Sequence, residues 1–482
     1  MFLQNKLFVS FFIVIGLLAA TCLYDIQGSI SQAASITGIV SDENGDPIED
    51  AHITIVTKDT NENNMEETVS TDSNGAYEIV NLRKGRYTFI VKSPGFETMT
   101  EALKISKSSS EVEKDFTLIF SLYTKTNDTK AMDSAVTSFK EIGVLRRQVP
   151  IDGDSLAAVY RGELQALTKE VDAENDLTLD SDIAGALDDI KNNTAPDLAA
   201  QVINKTRQRI FYLAILKRTT DVLDDFHRKE RADLMFLWDE AYAAYQAIVG
   251  TADRENKVLS KDHTAIETGS NPNLEDQILV AFIRGQKALN MENHDEGEIV
   301  IGMQRQVISI SLTRAFYIAV IRETGDVLNN RDSNLARALE NQKEGEMYYR
   351  AIEAFVLQDN PEGNKTVKSQ LTGDLADVDA NIVIRELSKG FIGRVRSELE
   401  SNESAINADN RGRAIITAEE ALHYSKIFME DLKIRLGTKD NEEMEDALHA
   451  LKDASNMVDN ANADAARQTI STILDNYESE LL

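Results

Sequence analysis

The residues of this chain whose types and spacing could do chemistry are carboxylates, one histidine and several tyrosines. Glu170 and Glu174 lie four residues apart with Asp172 between them, and Glu292 and Glu296 repeat the spacing with His294 between them. On a helix, residues at i and i+4 share a face. Hard and borderline cations are held by this mixture of carboxylate oxygens and imidazole nitrogen. Like charges at that spacing repel unless a cation or an arginine compensates. Glu240 and Glu344 stand in segments that also carry Tyr245 and Tyr349, a set of oxygen donors suited to ferric iron. The candidate metal ligands are therefore Glu170, Asp172, Glu174, Glu240, Glu292, His294, Glu296, Glu344, Tyr245 and Tyr349. The plainer reading is that the acids are solvated helix ends and the tyrosines ordinary buried donors.

These residues fall in an internal repeat. Gln201–Leu223 aligns with Gln306–Leu328 at an offset of 105, and eleven of the 23 positions are identical. Downstream, Glu240 to Ile248 matches Glu344 to Ile352. Upstream, at another offset, Arg161-Gly162 through Glu174 matches Arg284-Gly285 through Glu296. Apolar residues recur with a period near 3.6, which predicts helices. Phe211, Ile215, Val222 and Phe226 make one stripe, repeated by Phe316, Val320 and Val327. Gln201, Tyr212 and Thr219, with their counterparts Gln306, Tyr317 and Thr324, lie on its flank. The pattern predicts an acidic all-α domain over 151–482, with a duplicated unit at about 155–260 and 278–370 and further helices after it.

Other chemistry is excluded or weakly supported. The chain has no G-x-S-x-G, Walker A, H-E-x-x-H or C-x-x-C-H motif. A ferritin-type centre needs Glu-x-x-His on two helices, and only Glu420-x-x-His423 lies on a predicted helix. With no nucleophile–base arrangement, the protein is expected not to be an enzyme. Of 482 residues, 81 are Asp or Glu and 51 Lys or Arg, a formal charge of −30. A polyanion repels phosphate backbones and anionic lipid, so nucleic acid is not an expected partner. A single cysteine, Cys22, rules out a disulfide framework.

The N-terminal part has a different texture. Residues 1–34 carry Lys6 and the apolar run Phe8–Leu23, about 16 residues long, short for a membrane span and right for a signal peptide. The expected location is extracytoplasmic: periplasm, cell surface or secreted. Cys22 is either lipidated or lost with the signal; retained, the segment would be an N-terminal anchor. From 35 to 120, short β-type runs alternate with turn pairs such as Asn44-Gly45 and Asn74-Gly75, which predicts a β-sandwich. Gly38-Ile39-Val40-x-Asp42-x-x-Gly45-x-Pro47 is followed by Thr71-Asp72-x-x-Gly75-x-Tyr77, then by Asn81-Leu82-x-x-Gly85-x-Tyr87. This resembles the carboxypeptidase regulatory-like domain, a transthyretin-like sandwich. The resemblance implies a non-catalytic spacer or docking module, facing a cell-envelope protein. Residues 121–150 are expected to be a linker with one short helix.

The helical half resembles the algal low-iron-inducible, iron-assimilating periplasmic proteins and their bacterial relatives. The similarity rests on Gln306-Val307-Ile308, Phe316-Tyr317 and Tyr348-Tyr349-Arg350-Ala351-Ile352-Glu353, with their first-copy counterparts. It implies extracytoplasmic iron binding linked to iron acquisition, with another divalent cation as the alternative ion. The expected fold is thus a small all-β sandwich followed by a larger all-α bundle with an internal repeat. The expected function is non-enzymatic metal binding, the alternative a structural or adhesive surface protein whose helices bind a protein partner.

Overall fold

The computed structural model describes residues 34–58, 64–105, 111–260, 264–266 and 273–481. The signal segment and Cys22 lie outside the described residues. The chain forms two compact units, a β-sandwich and a helical bundle.

The sandwich is built from β1 (Ala34–Asp42), β2 (His52–Lys58), β3 (Asn64–Ser70), β4 (Ala76–Leu82), β5 (Gly85–Lys92), β6 (Met99–Ile105), β7 (Glu111–Glu113) and β8 (Phe116–Leu118). One sheet runs β3-β2-β5-β6, antiparallel throughout. In the other, β1 pairs antiparallel with β4 and parallel with β7 and β8. Side chains alternate between faces, so β5 buries Tyr87, Phe89 and Val91 and leaves Arg86 and Lys92 outside. The two landmark turns share one design. Asp42 Oδ1 accepts from Asn44 N and Asp46 N, and Asp72 Oδ1 from Asn74 N and Ala76 N. Gly45 and Gly75 follow with φ of 89° and 70°, the left-handed region glycine tolerates.

The bundle has fourteen α-helices among the described residues. They are α1 (Lys130–Leu145), α2 (Gly153–Tyr160), α3 (Glu163–Asn175), α4 (Leu179–Lys191), α5 (Pro196–Asp224), α6 (Arg231–Arg254) and α7 (Leu274–Ala288). After these come α8 (His294–Asn330), α9 (Leu335–Asp359), α10 (Pro361–Thr372), α11 (Ala380–Asn407), α12 (Arg411–Leu436), α13 (Thr438–Met457) and α14 (Asn460–Glu480). Boundaries follow local chemistry: prolines open α5 and α10, while Asp152, Asn293, Asn334, Asn360, Asp379, Asn410 and Asp459 cap helix starts through their side chains. Among the described residues no helix is long and apolar enough to cross a membrane.

The repeat occupies two long antiparallel helix pairs, α5 with α6 and α8 with α9, and α5 also packs on α8. Its stripe residues Phe211, Ile215, Phe316 and Val320 are buried. The flank is buried too: Tyr212 and Tyr317 have no exposed surface, and the Tyr212 hydroxyl lies 2.8 Å from Thr313 Oγ1 on the other copy. These central helices are covered on several sides, so a one-face reading of the period undercounts their core. α12 is the extreme case, buried from Ala414 to Ser425 without interruption.

Residues 121–150 are not a free linker. The Asp239 carboxylate, buried on α6, accepts from the Tyr123 hydroxyl at 2.6 Å and from the backbone of Thr126 and Asn127. α1 then buries Met132, Ala135, Val136 and Ile142 in the helical core. The segment is stitched into the bundle.

Candidate functional site

The upstream acids of the repeat are used as local partners. Arg218 on α5, 7% exposed, binds Glu170 Oε1 at 3.0 Å through Nη2 and Glu240 Oε2 at 3.1 Å through Nε. One guanidinium thus neutralises an acid from α3 and an acid from α6. Asp172 caps α4, accepting from Leu179 N at 2.7 Å and Asp180 N at 2.9 Å. Glu174 faces Lys217 at 3.6 Å. The shared helical face of Glu170 and Glu174 therefore exists, but arginine and lysine compensate it.

The second trio is arranged differently, and the upstream alignment breaks there. Arg161-Gly162 sits between α2 and α3, whereas Arg284-Gly285 is inside α7. Glu292 precedes α8 and is exposed, so Glu292 and Glu296 do not share a helical face. His294 is exposed, its Nε2 2.6 Å from Arg231 Nη2. Glu296 lies in the first turn of α8, where a negative charge suits the helix dipole, and pairs with Arg411 at 3.0 Å.

Downstream, Glu344 is buried on α9 and bonded to Lys205 Nζ at 2.8 Å, and Lys205 also donates to the Tyr348 hydroxyl at 2.7 Å. Glu344 is close enough to Glu323 on α8 to couple with it. Burial, then the Glu344 charge, pushes Glu323 up to about 7. Burial opposes ionisation of Glu344 as well, but Lys205 outweighs it and holds that carboxyl low. Of the two carboxyls, Glu323 is the one on which a proton is favoured, up to about pH 7. Tyr349 donates to Asn364 Oδ1 at 2.7 Å; Tyr245 is buried with no hydrogen-bond partner for its hydroxyl. Burial pushes both phenols up, away from the phenolate that ferric iron takes. The ten nominated residues are spread over α3, α6, α8, α9 and the loop before α8, and do not converge. Among the described residues no group of three or more His, Cys, Asp and Glu is placed to hold a metal ion.

The arrangement with the most unbalanced chemistry lies elsewhere, where α8, α11 and α12 meet. Glu398 on α11 is 5% exposed and Glu420 on α12 is 8% exposed. Burial, then hydrogen bonding to Glu420 and its charge, pushes Glu398 up to about 8. Gln306 Nε2 on α8 donates to Glu420 Oε1. Arg394 Nη2 binds Glu398 Oε1 at 3.0 Å, and Arg413 is 3.9 Å from Glu420. Even so, Glu398 Oε2 and Glu420 Oε2 are buried and take no hydrogen bond from any other residue, which leaves the proton between the two carboxyls as their link, and Asp359 Oδ2 is buried without a hydrogen-bond partner. Asp359 is 3.7 Å from Arg394, and burial, with the Glu398 charge behind it, pushes its carboxyl up. Two facing buried carboxyls require a shared proton or a cation. The two carboxyls are hard oxygen donors, which fit a hard or borderline cation, and Gln306 holds Glu420 in place through its amide nitrogen.

The opposite side of α12 carries Glu419 and His423, 3.2 Å apart, with Lys452 3.6 Å from Glu419. Burial pushes the His423 imidazole down, so it stays neutral. Burial opposes ionisation of Glu419 too, but Lys452 and His423 hold it well below the usual range. Glu420-x-x-His423 therefore does not act as one ligand pair: its members point to different clusters. Gln306 and Glu420 were both visible in the sequence as a repeated flank residue and a helical acid. Glu398 carried no signal, since Ser-Glu-Leu-Glu in a polar stretch reads as a solvated face.

Residues 35–119 match the family model of the carboxypeptidase regulatory-like domain. No curated protein matches the chain. Among solved structures it is similar to 3-chlorocatechol 1,2-dioxygenase from Rhodococcus opacus, at 15% identity and a TM-score of 0.16, over 18% of this chain and 59% of that one. A second is catechol 1,2-dioxygenase from Acinetobacter, at 13% identity and 0.17, over 20% and 55%. The chain spans little more than half the length of these structures, and likeness at that level carries no argument about the whole. The sandwich at 35–119, with its paired aspartate-capped turns, is a carboxypeptidase regulatory-like domain.

Proposed function

We propose that the protein is a non-enzymatic, extracytoplasmic cation-binding protein, with Glu398 and Glu420 as the donors, Gln306 orienting Glu420, and the β-sandwich as a docking module toward a cell-envelope partner. One observation carries the reading: two buried carboxyls from neighbouring helices face each other, their Oε2 atoms take no hydrogen bond from any other residue, and Glu398 therefore retains a proton to about pH 8 that bonds it to Glu420. A cation entering between them would replace that proton and satisfy both oxygens. The ion would polarise its bound waters; the chain's part is to supply oxygen donors and to neutralise them with Arg394 and Arg413 while the site is protonated. The resemblance of the helical half to low-iron-inducible periplasmic proteins makes iron the first ion to test, with other divalent cations behind it.

A second reading is a structural or adhesive surface protein. It is favoured by the pairing of most nominated acids with arginine, lysine or backbone amides.

Titration of the purified chain with Fe²⁺, Fe³⁺, Mn²⁺, Zn²⁺ and Ca²⁺ separates the two. A ligand that prefers the native state raises the melting temperature. Uptake of a fixed number of ions, with release of a proton and tighter binding at pH 8.5 than at pH 6, supports the cation site; E398Q and E420Q should then lose it. If wild type and E398Q melt alike in every metal, the scaffold reading stands.

A further inference from the structure

A cavity of about 290 Å³ opens between α8, α12, α13 and the first turn of α7. Its charge balance is unlike that of the chain. Arg314, Lys426 and Lys433 line it against Glu430 and Glu445, so the lining carries 3 − 2 = +1 in a protein of net −30. His423 is also in the wall and neutral, because burial pushes its imidazole down.

Arg314 is the decisive group. It is 5% exposed, and two of its three nitrogens are committed. Nε donates to the Lys426 carbonyl at 3.1 Å and Nη2 to Glu430 Oε1 at 2.5 Å. Glu430 is itself fixed from behind by the Leu259 amide. These bonds hold the guanidinium plane still and leave Nη1 buried with no partner. A buried donor left unmade is costly, and a preorganised guanidinium is the side chain best matched to a carboxylate. Lys433 is exposed and adds attraction without being trapped, while burial pushes the Lys426 ammonium down, so an anion beside it would be favoured. The rest of the wall includes Leu274, Ile310 and Met429, which suit a hydrocarbon part more than a bare inorganic ion. The volume is at the lower end of small-molecule sites, about 300–1,000 Å³.

We infer that this cavity binds a small organic carboxylate, its carboxylate on Arg314 Nη1 between Lys426 and Lys433 and its hydrocarbon part on Leu274, Ile310 and Met429. The inference does not rest on the cation site, which uses other residues.

The test is calorimetric titration of the full chain with short mono- and dicarboxylates, with the amide of each acid and with inorganic phosphate. Saturable binding of an acid whose amide binds at least about tenfold more weakly, the loss expected for one charge-assisted hydrogen bond, supports the assignment. R314M should lower affinity by a similar factor. K433E changes an exposed residue, so its fold is not at risk, and it should also weaken binding. E398Q should bind the acid as wild type does, and R314M should keep any metal uptake, so the two sites fail separately. The assignment is overturned if no acid binds at millimolar concentration, if amide and acid bind alike, if phosphate alone binds, or if K433E and R314M both match wild type.

Discussion

Arg218 and Glu323 occupy the same position in the two copies of the repeat, and each meets the glutamate that follows on the next helix. In the first copy Arg218 meets Glu240 at 3.1 Å, an ordinary ion pair. In the second Glu323 meets Glu344; Arg322 of the same helix binds Glu323 at 2.8 Å, and Lys205 from the first copy's helix binds Glu344 at 2.8 Å. Duplication kept the backbone and the apolar stripe and let the charges drift. The second copy thus draws part of its neutralisation from the first: α5 supplies Lys205 to Glu344, while Arg322 of α8 serves Glu323. The difference teaches that equivalent positions after duplication report equivalent packing, while their chemistry depends on what faces them.

The sharpest way to break this comparison is to remove the two cations. K205M strands Glu344 beside Glu323 in a buried setting, both less than a tenth exposed. Loss of one partner from a buried pair costs about 3–5 kcal/mol, and that is the expected drop in unfolding free energy at pH 8. R218M should cost less, about 1–3 kcal/mol, because Glu170 is 44% exposed at its side chain and recovers hydration. K205M/E344Q should regain much of the loss, since the two residues share one interaction. Urea unfolding of the four proteins measures all of this. Equal losses for K205M and R218M would remove the asymmetry between the copies.

The Glu323 proton gives the next effect. Native Glu323 keeps its proton to about pH 7, whereas the unfolded carboxyl releases it near 4.5. Between those values the native chain binds more protons, so stability falls as pH rises. Glu398, with its proton held to about pH 8, extends the same decline upward. E323Q carries the neutral form permanently. It should be near neutral in stability at pH 5, more stable than wild type at pH 8, and show a shallower slope between them. R218 has no such partner, so R218M should leave the slope as it is.

How far the sequence could be read follows the same division. The sandwich was legible because its turns are local: Asp42 with Gly45 and Asp72 with Gly75 depend only on near neighbours, and the capping bonds are where those residues predict them. The repeat and its helices were legible because apolar periodicity is local too. The site was not. Spacing placed Glu170 and Glu174 on one face but could not show Arg218 and Lys217 arriving from α5. Upstream word-matching put Glu292 on a helix it precedes. The linker reading failed for a similar reason, since Asp239, which ties down 123–127, lies more than a hundred residues away. Glu398 and Glu420 meet only because α11 and α12 fold back on each other, and the burial of α12 on all sides turns two unremarkable glutamates into a strained pair.

The smallest effects should come from the acids that spacing alone singled out. Glu292 and His294 are exposed, and Glu174 meets Lys217 at 3.6 Å with both side chains partly in water. Exposed pairs of this kind contribute about 0.2–1 kcal/mol, because water solvates the separated charges nearly as well as they solvate each other. E174A, E292A and H294A should each change unfolding free energy by less than about 0.5 kcal/mol, as surface substitutions do. H294A sits at the upper end, since it also gives up the contact with Arg231. A combined E174A/E292A/H294A chain should take up whatever cation the wild type takes up, with unchanged stoichiometry. Loss of uptake in that chain while E398Q retained it would move the binding site back to the surface and reverse the ranking of the two regions.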